Sequence, residues 1–246
     1  MLRLVWGITG SGSFIRDLVE LFIDLKKQFP NLVVAVALSR AGRDVCRIYG
    51  VLEKLRLIAA GGRYGGLYID EGPNSWMPLV GRVSLGRYDL IIIAPATSNT
   101  VAKIVHGISD TLVTVVVSQA LKSGTPVVVF PSDYAGEART QLPCRIDISS
   151  CTKCYACLKN NFCSHNAIIL SDQYPAIDYS KCVGCGKCSL KCPSGAIRCW
   201  EETIVKPNPI DIANLSKLMN TPGVQVLHGF DEVRGFLMKF IGQSVM

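Results

Sequence analysis

The sequence has few charged residues and no long apolar segment, and both shortages limit the class of protein. Charged residues make up 18% of the 246 residues and hydrophobic residues 49%, which excludes a disordered or fibrous protein. No uncharged apolar run reaches the roughly 18–20 residues that a membrane helix needs. The N-terminal residues show no secretory signal pattern. We therefore expect a soluble cytoplasmic protein with no membrane partner.

The basic residues lack the pattern that nucleic-acid binding requires. The chain has 26 Lys and Arg against 19 Asp and Glu, a formal net charge of +7. No basic stripe interleaved with aromatic residues is visible, so we expect no nucleic-acid partner.

Cysteine is the residue that the chain has in excess, with eleven. Without an export signal, metal ligation is a stronger interpretation of these residues than a disulfide scaffold. Nine of them lie between Cys151 and Cys199, and eight of these nine form two runs. Residues 151–157 have the spacing C-x2-C-x2-C, with Cys163 following, and residues 182–193 have the spacing C-x2-C-x2-C-x3-C-P.

The two cysteine runs belong to an internal repeat. IDISSC at 146–151 recurs as IDYSKC at 177–182, an offset of 31, and residues 163–168 recur at 192–197, an offset of 29. This pattern resembles the two-[4Fe–4S] ferredoxin module. In that module the fourth cysteine of each run ligates the other cluster. The resemblance implies two crossed ligand sets, which are Cys151, Cys154, Cys157 and Cys192 for the first cluster and Cys182, Cys185, Cys188 and Cys163 for the second.

A pair of zinc sites is the alternative, because eight cysteines could also hold two tetrahedral ions. Triple cysteine runs that end in Cys-Pro are atypical of zinc ribbons, so we favour iron–sulfur clusters. Gly184 and Gly186 suit a loop that must approach a cluster closely. The three remaining cysteines, Cys46, Cys144 and Cys199, are expected to be small buried hydrophobes.

Short apolar strands alternate with amphipathic helical segments on both sides of the cysteine runs. The predicted strands are 2–8, 32–38, 89–94, 126–130 and 224–227, and the predicted helices are 14–29, 41–59, 98–107, 110–122, 210–219 and 231–241. This alternation predicts an α/β fold with a parallel sheet and helices on both faces. We expect residues 1–143 and 201–246 to form that domain, with residues 144–200 inserted into it as an α+β ferredoxin-like unit.

Two segments of the predicted α/β domain contain candidate ligand-binding motifs. The first predicted strand ends in GITGSGS at 7–13, a phosphate-binding turn or a plain βα turn, whose spacing is not that of the dinucleotide fingerprint. APATSNTVAKI at 94–104 and GISDTL at 107–112 resemble the flavin-binding motif of the homo-oligomeric flavin-containing cysteine decarboxylase superfamily. The resemblance implies a Rossmann-like flavoprotein domain that binds FMN and assembles as a trimer-based homo-oligomer.

The same resemblance implies a set of FMN contacts. The flavin contacts would be Thr97, Ser98, Asn99 and Thr100, and the phosphate and ribityl contacts would be Thr9, Gly10, Ser11 and Ser39. For residues 97–100 the alternative is simple helix capping.

The chain departs from the decarboxylases in its histidines. Those enzymes use a histidine between the second strand and the Pro-Ala-Thr motif, whereas this chain has only His106, His165 and His228. We therefore expect flavin redox chemistry and not cysteine decarboxylation. No catalytic residue is assigned, and Asp133, Tyr134 and Tyr64 are candidates only for a proton donor.

An FMN domain joined to two clusters predicts an oxidoreductase, because clusters carry single electrons and FMN can collect two. The architecture resembles the acceptor-type dihydromethanopterin reductases of methane-producing archaea that have a ferredoxin insert. This resemblance implies hydride transfer to dihydromethanopterin or dihydrosarcinapterin, giving the tetrahydro form. The alternative is an electron-transfer flavoprotein similar to archaeoflavoproteins, which has no small-molecule substrate of its own. Flavin prenyl transfer is a third possibility, and it would not need the clusters.

The predicted insert is basic, with seven Lys and Arg and three Asp and Glu in residues 144–200. We expect an acidic electron donor, such as reduced ferredoxin, to dock on this surface. The candidate contacts are Lys153, Lys159, Lys181, Lys187 and Lys191. A solvated basic surface without a partner is the alternative.

Overall fold

The structure is a computed structural model, and it describes residues 1–134 and 138–245. The strands within these ranges are β1 (Arg3–Ile8), β2 (Val33–Leu38), β3 (Gly66–Ile69), β4 (Leu90–Ala96), β5 (Val127–Pro131), β6 (Ala138–Gln141), β7 (Arg145–Ile146), β8 (Ile168–Ser171), β9 (Tyr174–Ile177), β10 (Ile197–Arg198), β11 (Glu202–Val205) and β12 (Val224–Val226). The helices are α1 (Ile15–Gln28), α2 (Arg40–Ile48), α3 (Leu52–Ala59), α4 (Pro73–Ser84), α5 (Ser98–Val105), α6 (Leu112–Ser123), α7 (Ala156–Lys159), α8 (Lys187–Lys191), α9 (Pro209–Met219) and α10 (Phe230–Val245).

Six of these strands form one parallel sheet in the order β12-β5-β4-β1-β2-β3. The predicted parallel α/β sheet is therefore confirmed. The chain order reverses between β1 and β4, which lie side by side. Such a reversal leaves a crevice outside the carboxyl ends of the strands, where ligands bind in open α/β sheets.

Both faces of the sheet are covered, so its central strands are apolar along their whole length. Every residue of β2, β4 and β5 is buried. On one face the Trp6 ring stacks on Phe22 of α1, with ring centroids 3.9 Å apart. On the other face Val113 and Val117 of α6 pack among the side chains of the same sheet. Burial on two faces fixes the strand ends that surround the crevice.

The helix predicted over 41–59 is wrong as a single element, because α2 ends at Ile48 and α3 begins at Leu52. Gly50 between them has φ of 70°, a conformation that breaks a helix and that glycine adopts without strain. β3 and α4 were not predicted from the sequence. β3 has only four residues, all partly exposed, and α4 contains Pro78 and Gly81, which hide its helical pattern.

Residues 147–196, which we call the cysteine-rich segment, are connected to the α/β domain by two antiparallel stretches of chain. Strand β6 pairs with β11 and β7 pairs with β10. Between these pairs the Leu142 amide donates to the Glu201 carbonyl, and the Trp200 amide donates to Leu142. We call residues 138–146 and 197–205 the stalk. In the part of the chain that the structure describes, no helix is long and apolar enough to cross a membrane.

The expectation that Cys144 and Cys199 are only buried hydrophobes is wrong, because the structure joins them in a disulfide. In the stalk Arg145 lies opposite Arg198, so the next pair along the two strands is Cys144 and Cys199. Cys46 does agree with the expectation. It is fully buried, and burial raises the pKa of its thiol to about 12.

Candidate functional site

The two halves of the cysteine-rich segment exchange matching hydrogen bonds. The Asp147 amide donates to the Ala196 carbonyl, and the Asp178 amide donates to the Ala167 carbonyl, both at 2.8 Å. Asp147 and Asp178 are equivalent in the internal repeat, as are Ala167 and Ala196. Each half therefore makes the same hydrogen bond within the segment, as expected of two halves related by the internal repeat.

The same aspartates stabilise the turn that leads into each cysteine run. The carboxylate of Asp147 accepts from the Ser149 amide, and that of Asp178 accepts from the Ser180 amide. Hydrogen bonds from Ser149 and Ser150 lower the pKa of Asp147 to about 2. A hydrogen bond from Ser180 likewise lowers the pKa of Asp178.

Both cysteine loops have a positive φ at the same two equivalent positions. Lys153 and Tyr155 in the first loop have φ of 53° and 55°, and Gly184 and Gly186 in the second have φ of 60° and 71°. Only the second loop uses glycine at these positions, although both need the left-handed conformation. The left-handed conformation alone therefore does not explain why the second loop has glycine at both positions.

The eight predicted ligands fall into two spatial groups. One cavity is lined by the whole first set, Cys151, Cys154, Cys157 and Cys192. The members of the second set influence one another electrostatically. Burial and, after it, the neighbouring Cys182, Cys163 and Cys185 together raise the pKa of the Cys188 thiol to about 11. Soft thiolates in two such groups fit two cubane clusters, in which each iron takes one cysteine.

A third sulfur group does not make a metal site. The sulfur atoms of Cys144, Cys188 and Cys199 lie within 4.8 Å of one another. Two of them are joined in the disulfide, so they are not free thiolates. The disulfide thus lies directly beside one ligand of the second set.

A cavity of about 500 Å³ opens at the carboxyl ends of β1, β2, β3 and β4, where the strand order reverses. Six of the eight predicted FMN contacts line it, which are Thr9, Gly10, Ser39, Thr97, Asn99 and Thr100. Its volume lies in the range of small-molecule and cofactor sites. The structure thus brings most of the predicted contacts together at the expected edge of the sheet.

Thr9 joins the two central strands at the base of this cavity. Its hydroxyl donates to the Pro95 carbonyl at 2.8 Å and accepts from the Thr97 amide at 2.8 Å. The hydroxyl is therefore already used within the protein, and Thr9 holds the ends of β1 and β4 together. The Thr9 amide also donates to the Pro95 carbonyl at 3.2 Å, so the contribution of Thr9 to a ligand would be steric.

Three helices begin at the cavity, each with a capping side chain. The Ser39 hydroxyl accepts from the Gly42 amide at the start of α2, and Thr97 and Thr111 cap α5 and α6. Helix capping, the alternative given for residues 97–100, is thus confirmed for Thr97, and Ser39 has a capping role that the sequence did not predict. Helix N-termini carry free N–H groups and a partial positive charge, which together favour an anion.

Two cations line the cavity beside these helix ends. Arg40 donates through Nε to the Asp70 carbonyl at 3.0 Å, and Lys103 contacts both oxygens of Asp110 at 2.8 and 2.9 Å. The hydrogen bond from Lys103 lowers the pKa of Asp110.

Sequence reasoning missed six of the lining residues, which are Arg40, Ala41, Asp70, Lys103, Asp110 and Thr111. Lys103, Asp110 and Thr111 stand inside the motif segments already recognised, and Arg40 directly follows Ser39. These four could have been found by extending the motif. Asp70 follows β3, a strand that the sequence did not reveal.

The remaining two predicted FMN contacts do not line the cavity. The Ser98 hydroxyl donates to Asp133 at 2.7 Å, and the Ser11 hydroxyl accepts from the Ser13 amide at 3.1 Å. Asp133 also accepts from Ser132, so it is tied to local structure.

The other two candidate proton donors also lie away from the cavity lining. The guanidinium of Arg3, at the start of β1, lies 4.3 Å from the centroid of the Tyr64 ring. Tyr64 therefore lies near the amino-terminal end of β1, whereas the cavity lies at the carboxyl ends of the strands. Tyr134 is partly buried and packs against the apolar core.

The glycines of the first turn allow α2 to approach closely. A Cβ on Gly10 would lie 2.7 Å from the Ala41 Cβ, and a Cβ on Gly12 would collide with the Tyr49 ring. The turn therefore requires glycine because α2 packs closely against it, as a plain βα turn could. Gly10 also lines the cavity, as a phosphate-binding turn would.

A parallel α/β domain with a cavity at its switch point, joined to a crossed pair of cysteine sets, defines an iron–sulfur flavoprotein. The family described as Flavoprotein matches residues 1–135, and the family described as 4Fe-4S binding domain matches residues 175–198. The chain therefore belongs to the Flavoprotein family, as a member with a 4Fe–4S domain.

Two curated relatives match nearly the whole chain. "Dihydromethanopterin reductase (acceptor)" of Methanosarcina mazei is 40% identical over 230 residues, which are 92% of this chain and 94% of the relative. The protein of the same name from Methanocaldococcus jannaschii is 40% identical over 227 residues, 92% of each chain. The predicted resemblance to this group of reductases is confirmed, and the chain is an iron–sulfur flavoprotein reductase.

One solved structure has a similar fold over the whole chain. It is the crystal structure of Burkholderia xenovorans DmrB in complex with FMN, described as a cubic protein cage for redox transfer. The match covers 100% of this chain and 98% of that chain, with a TM-score of 0.61 and 24% sequence identity.

Proposed function

We propose that the protein binds FMN and two [4Fe–4S] clusters and reduces dihydromethanopterin or dihydrosarcinapterin to the tetrahydro form. The observation that carries this proposal is the presence, in one chain, of two crossed cysteine sets and a cavity with polar donors at the switch point. The names of the two relatives that match 92% of the chain support the pterin as substrate.

The cavity has the donors that a phosphorylated flavin needs. The N-termini of α2, α5 and α6 supply N–H groups for a phosphate, and Arg40 and Lys103 supply positive charge. The exposed Asn99 amide has no hydrogen-bond partner among the described residues, so it is available to the polar edge of the ring. When bound, FMN would supply two-electron hydride chemistry, which iron–sulfur clusters alone cannot supply.

The cluster proposal assigns one cubane to each crossed set, and it assigns residues 144–200 to the inserted ferredoxin-like domain between the flavoprotein parts 1–143 and 201–246. The matching hydrogen bonds between the two halves support a second cluster beside the one that the domain match indicates. The antiparallel stalk supports an insertion, because both chain passages leave the α/β domain side by side.

Metal and flavin analysis of protein purified without oxygen tests the cofactors. We expect about eight iron atoms and about one FMN per chain, with the visible spectrum of both chromophores. Zinc in place of iron, or the lack of flavin, would contradict the proposal.

A single-turnover experiment separates the reductase from the electron-transfer flavoprotein. Protein reduced without oxygen is mixed with dihydropterin, and the flavin absorbance is followed. The reductase is reoxidised by the dihydropterin and forms the tetrahydro product. Protein that stays reduced, yet passes its electrons to an oxidised protein acceptor, supports the electron-transfer alternative.

We further propose that an acidic donor such as reduced ferredoxin docks on the basic face of the insert. Lys159, Lys181, Lys187 and Lys191 are exposed, and Lys153 lies 4.0 Å from the Tyr174 ring. Charge-steered association slows as ionic strength rises.

The docking prediction has a matched control. Reversal of one charge by Lys159→Glu should slow reduction by ferredoxin, whereas Lys217→Glu on the exposed side of α9 should leave the rate unchanged. A rate that does not depend on ionic strength would refute docking by charge.

A trimer-based homo-oligomer is also proposed, and light scattering of the purified protein would test it.

A further inference from the structure

The two cysteine loops share a backbone conformation but differ in what they contact. Lys153 in the first loop lies over Tyr174, within the cysteine-rich segment itself. Its counterpart Gly184 is buried, and a Cβ there would lie 2.6 Å from the Gly50 nitrogen and would collide with the Ile48 carbonyl. The second loop therefore packs on the C-terminal end of α2, and only glycine fits at this contact.

Arg47 of α2 holds the second loop by direct hydrogen bonds. Its guanidinium donates through Nη1 to the carbonyls of Ser180 at 3.0 Å and Cys182 at 2.8 Å. Cys182 is the first cysteine of the second set. An arginine is charged at all physiological pH values, so the contact places a permanent positive charge beside that set.

Trp200 adds a second contact between this loop and the α/β domain. A Cβ on Gly186 would lie 3.6 Å from the Trp200 Nε1 atom. The centroid of the Trp200 ring lies 5.5 Å from that of the Tyr49 ring, and the Arg16 guanidinium lies 4.4 Å from the Trp200 centroid. The second loop is thus fixed to the α/β domain on two sides.

The other end of α2 opens on the cavity. Ser39 caps the helix and lines the cavity with Arg40, the first helical residue. Nine residues at the α-helical rise span about 14 Å. One short helix therefore reaches from the candidate flavin site to the second cysteine loop, and electron transfer between sites slows steeply with distance.

We propose that the second set, Cys182, Cys185, Cys188 and Cys163, holds the cluster that faces the flavin, and that Arg47 positions it and raises its reduction potential. This inference rests on the proposed function. Burial agrees with it, because Cys182 and Cys188 are buried whereas every cysteine of the first set is partly or fully exposed. The first set, on the outer side, is left for the one-electron donor.

The sign of the effect of Arg47 follows from charge. Reduction adds one electron to a cluster, and a nearby positive charge stabilises the reduced form more than the oxidised form. Arg47→Gln removes that charge and should shift the midpoint potential of the second cluster to a more negative value. Arg47→Lys keeps the charge and should restore part of the shift. Arg43→Gln is the control on the same helix, because Arg43 pairs with Asp44 and Glu71.

Redox titration followed by electron paramagnetic resonance measures these potentials. The exposed and equivalent Cys154 and Cys185 allow the assignment, because Cys154→Ser should leave only the second cluster and Cys185→Ser only the first. We expect Arg47→Gln to shift the potential in the Cys154→Ser background and not in the Cys185→Ser background. A shift only in the Cys185→Ser background, or no shift in either, overturns the proposal.

If one cysteine variant fails to fold, the other variant still assigns one potential, and Arg47→Gln in the otherwise unaltered protein then shows whether the assigned or the remaining potential shifts. Reduced ferredoxin gives a second measurement, since Cys185→Ser should lose flavin reduction by that donor. Persistent flavin reduction in Cys185→Ser overturns the order of the clusters. Lack of iron or FMN in the unaltered protein overturns the proposed function instead, so the two failures are distinguishable.

Discussion

Single side chains decide whether a predicted contact serves the ligand or the fold. Ser98 and Asn99 are neighbours in the same motif, and the sequence offers no reason to separate them. In the structure the Ser98 hydroxyl is bonded to Asp133, whereas Asn99 lines the cavity. A motif identifies the segment, but the helical rotation of 100° per residue decides which member faces the crevice.

We predict that Asn99→Ala weakens FMN binding by about tenfold, the cost of about one lost hydrogen bond. The matched variant Ser98→Ala should leave the dissociation constant for FMN nearly unchanged, because its hydroxyl bonds within the protein. Flavin fluorescence during titration of the flavin-free protein measures both constants. Equal losses in the two variants would refute this division of roles.

Elements are the scale at which the sequence was most informative. The long apolar strands β2 and β4 and the capped helix α5 lie within a residue or two of their predicted positions, because burial on both faces leaves a continuous apolar pattern. β3 could not be predicted, since four half-exposed residues carry no such pattern. The contact of α2 with the second cysteine loop could not be predicted either, because it joins residues more than 130 positions apart.

The crowded contact at Gly184 predicts that substitution there is more damaging than at a comparable glycine. Gly184→Ala should lower the melting temperature and the iron content, because the new methyl group meets the backbone of α2. Gly195→Ala is the control, since Gly195 has a similar φ of 66° and no described atom lies within 4 Å of its Cβ position. It should cost about 1 kcal/mol, the strain of the left-handed conformation alone.

Calorimetry and iron analysis of the two glycine variants give the answer. Equal destabilisation would mean that only the backbone conformation matters and that the loop does not pack on α2. The residue equivalent to Gly184 in the first loop is Lys153, which shows that a side chain is compatible with this backbone.

The whole molecule is an α/β domain and a cysteine-rich segment connected by the stalk, whose two passages are joined by the disulfide between Cys144 and Cys199. The resemblance to the two-cluster ferredoxin module allowed the crossed ligand sets to be predicted. It gave no sign of the disulfide, because Cys144 and Cys199 lie 55 residues apart and meet only through the pairing of β7 with β10.

Thiol labelling tests the disulfide. In protein kept from reductants, Cys144 and Cys199 should resist a maleimide even after unfolding, and peptide mapping should find them linked. After reduction both should be labelled. Cys46 supplies the control, because its buried thiol should be labelled only after unfolding. Labelling of Cys144 in unreduced, unfolded protein would show that the link is absent.

A disulfide across the base of an insertion also changes what a protease can release. The cross-link converts residues 144–199 into a closed ring, so one cut inside it opens the ring but frees no fragment. Such a nicked chain would still migrate as one species until a reductant is added, and only then would it separate into two pieces. After such a cut, each part of the cysteine-rich segment stays attached to the α/β domain by the peptide chain, and the disulfide keeps the two parts of the protein linked.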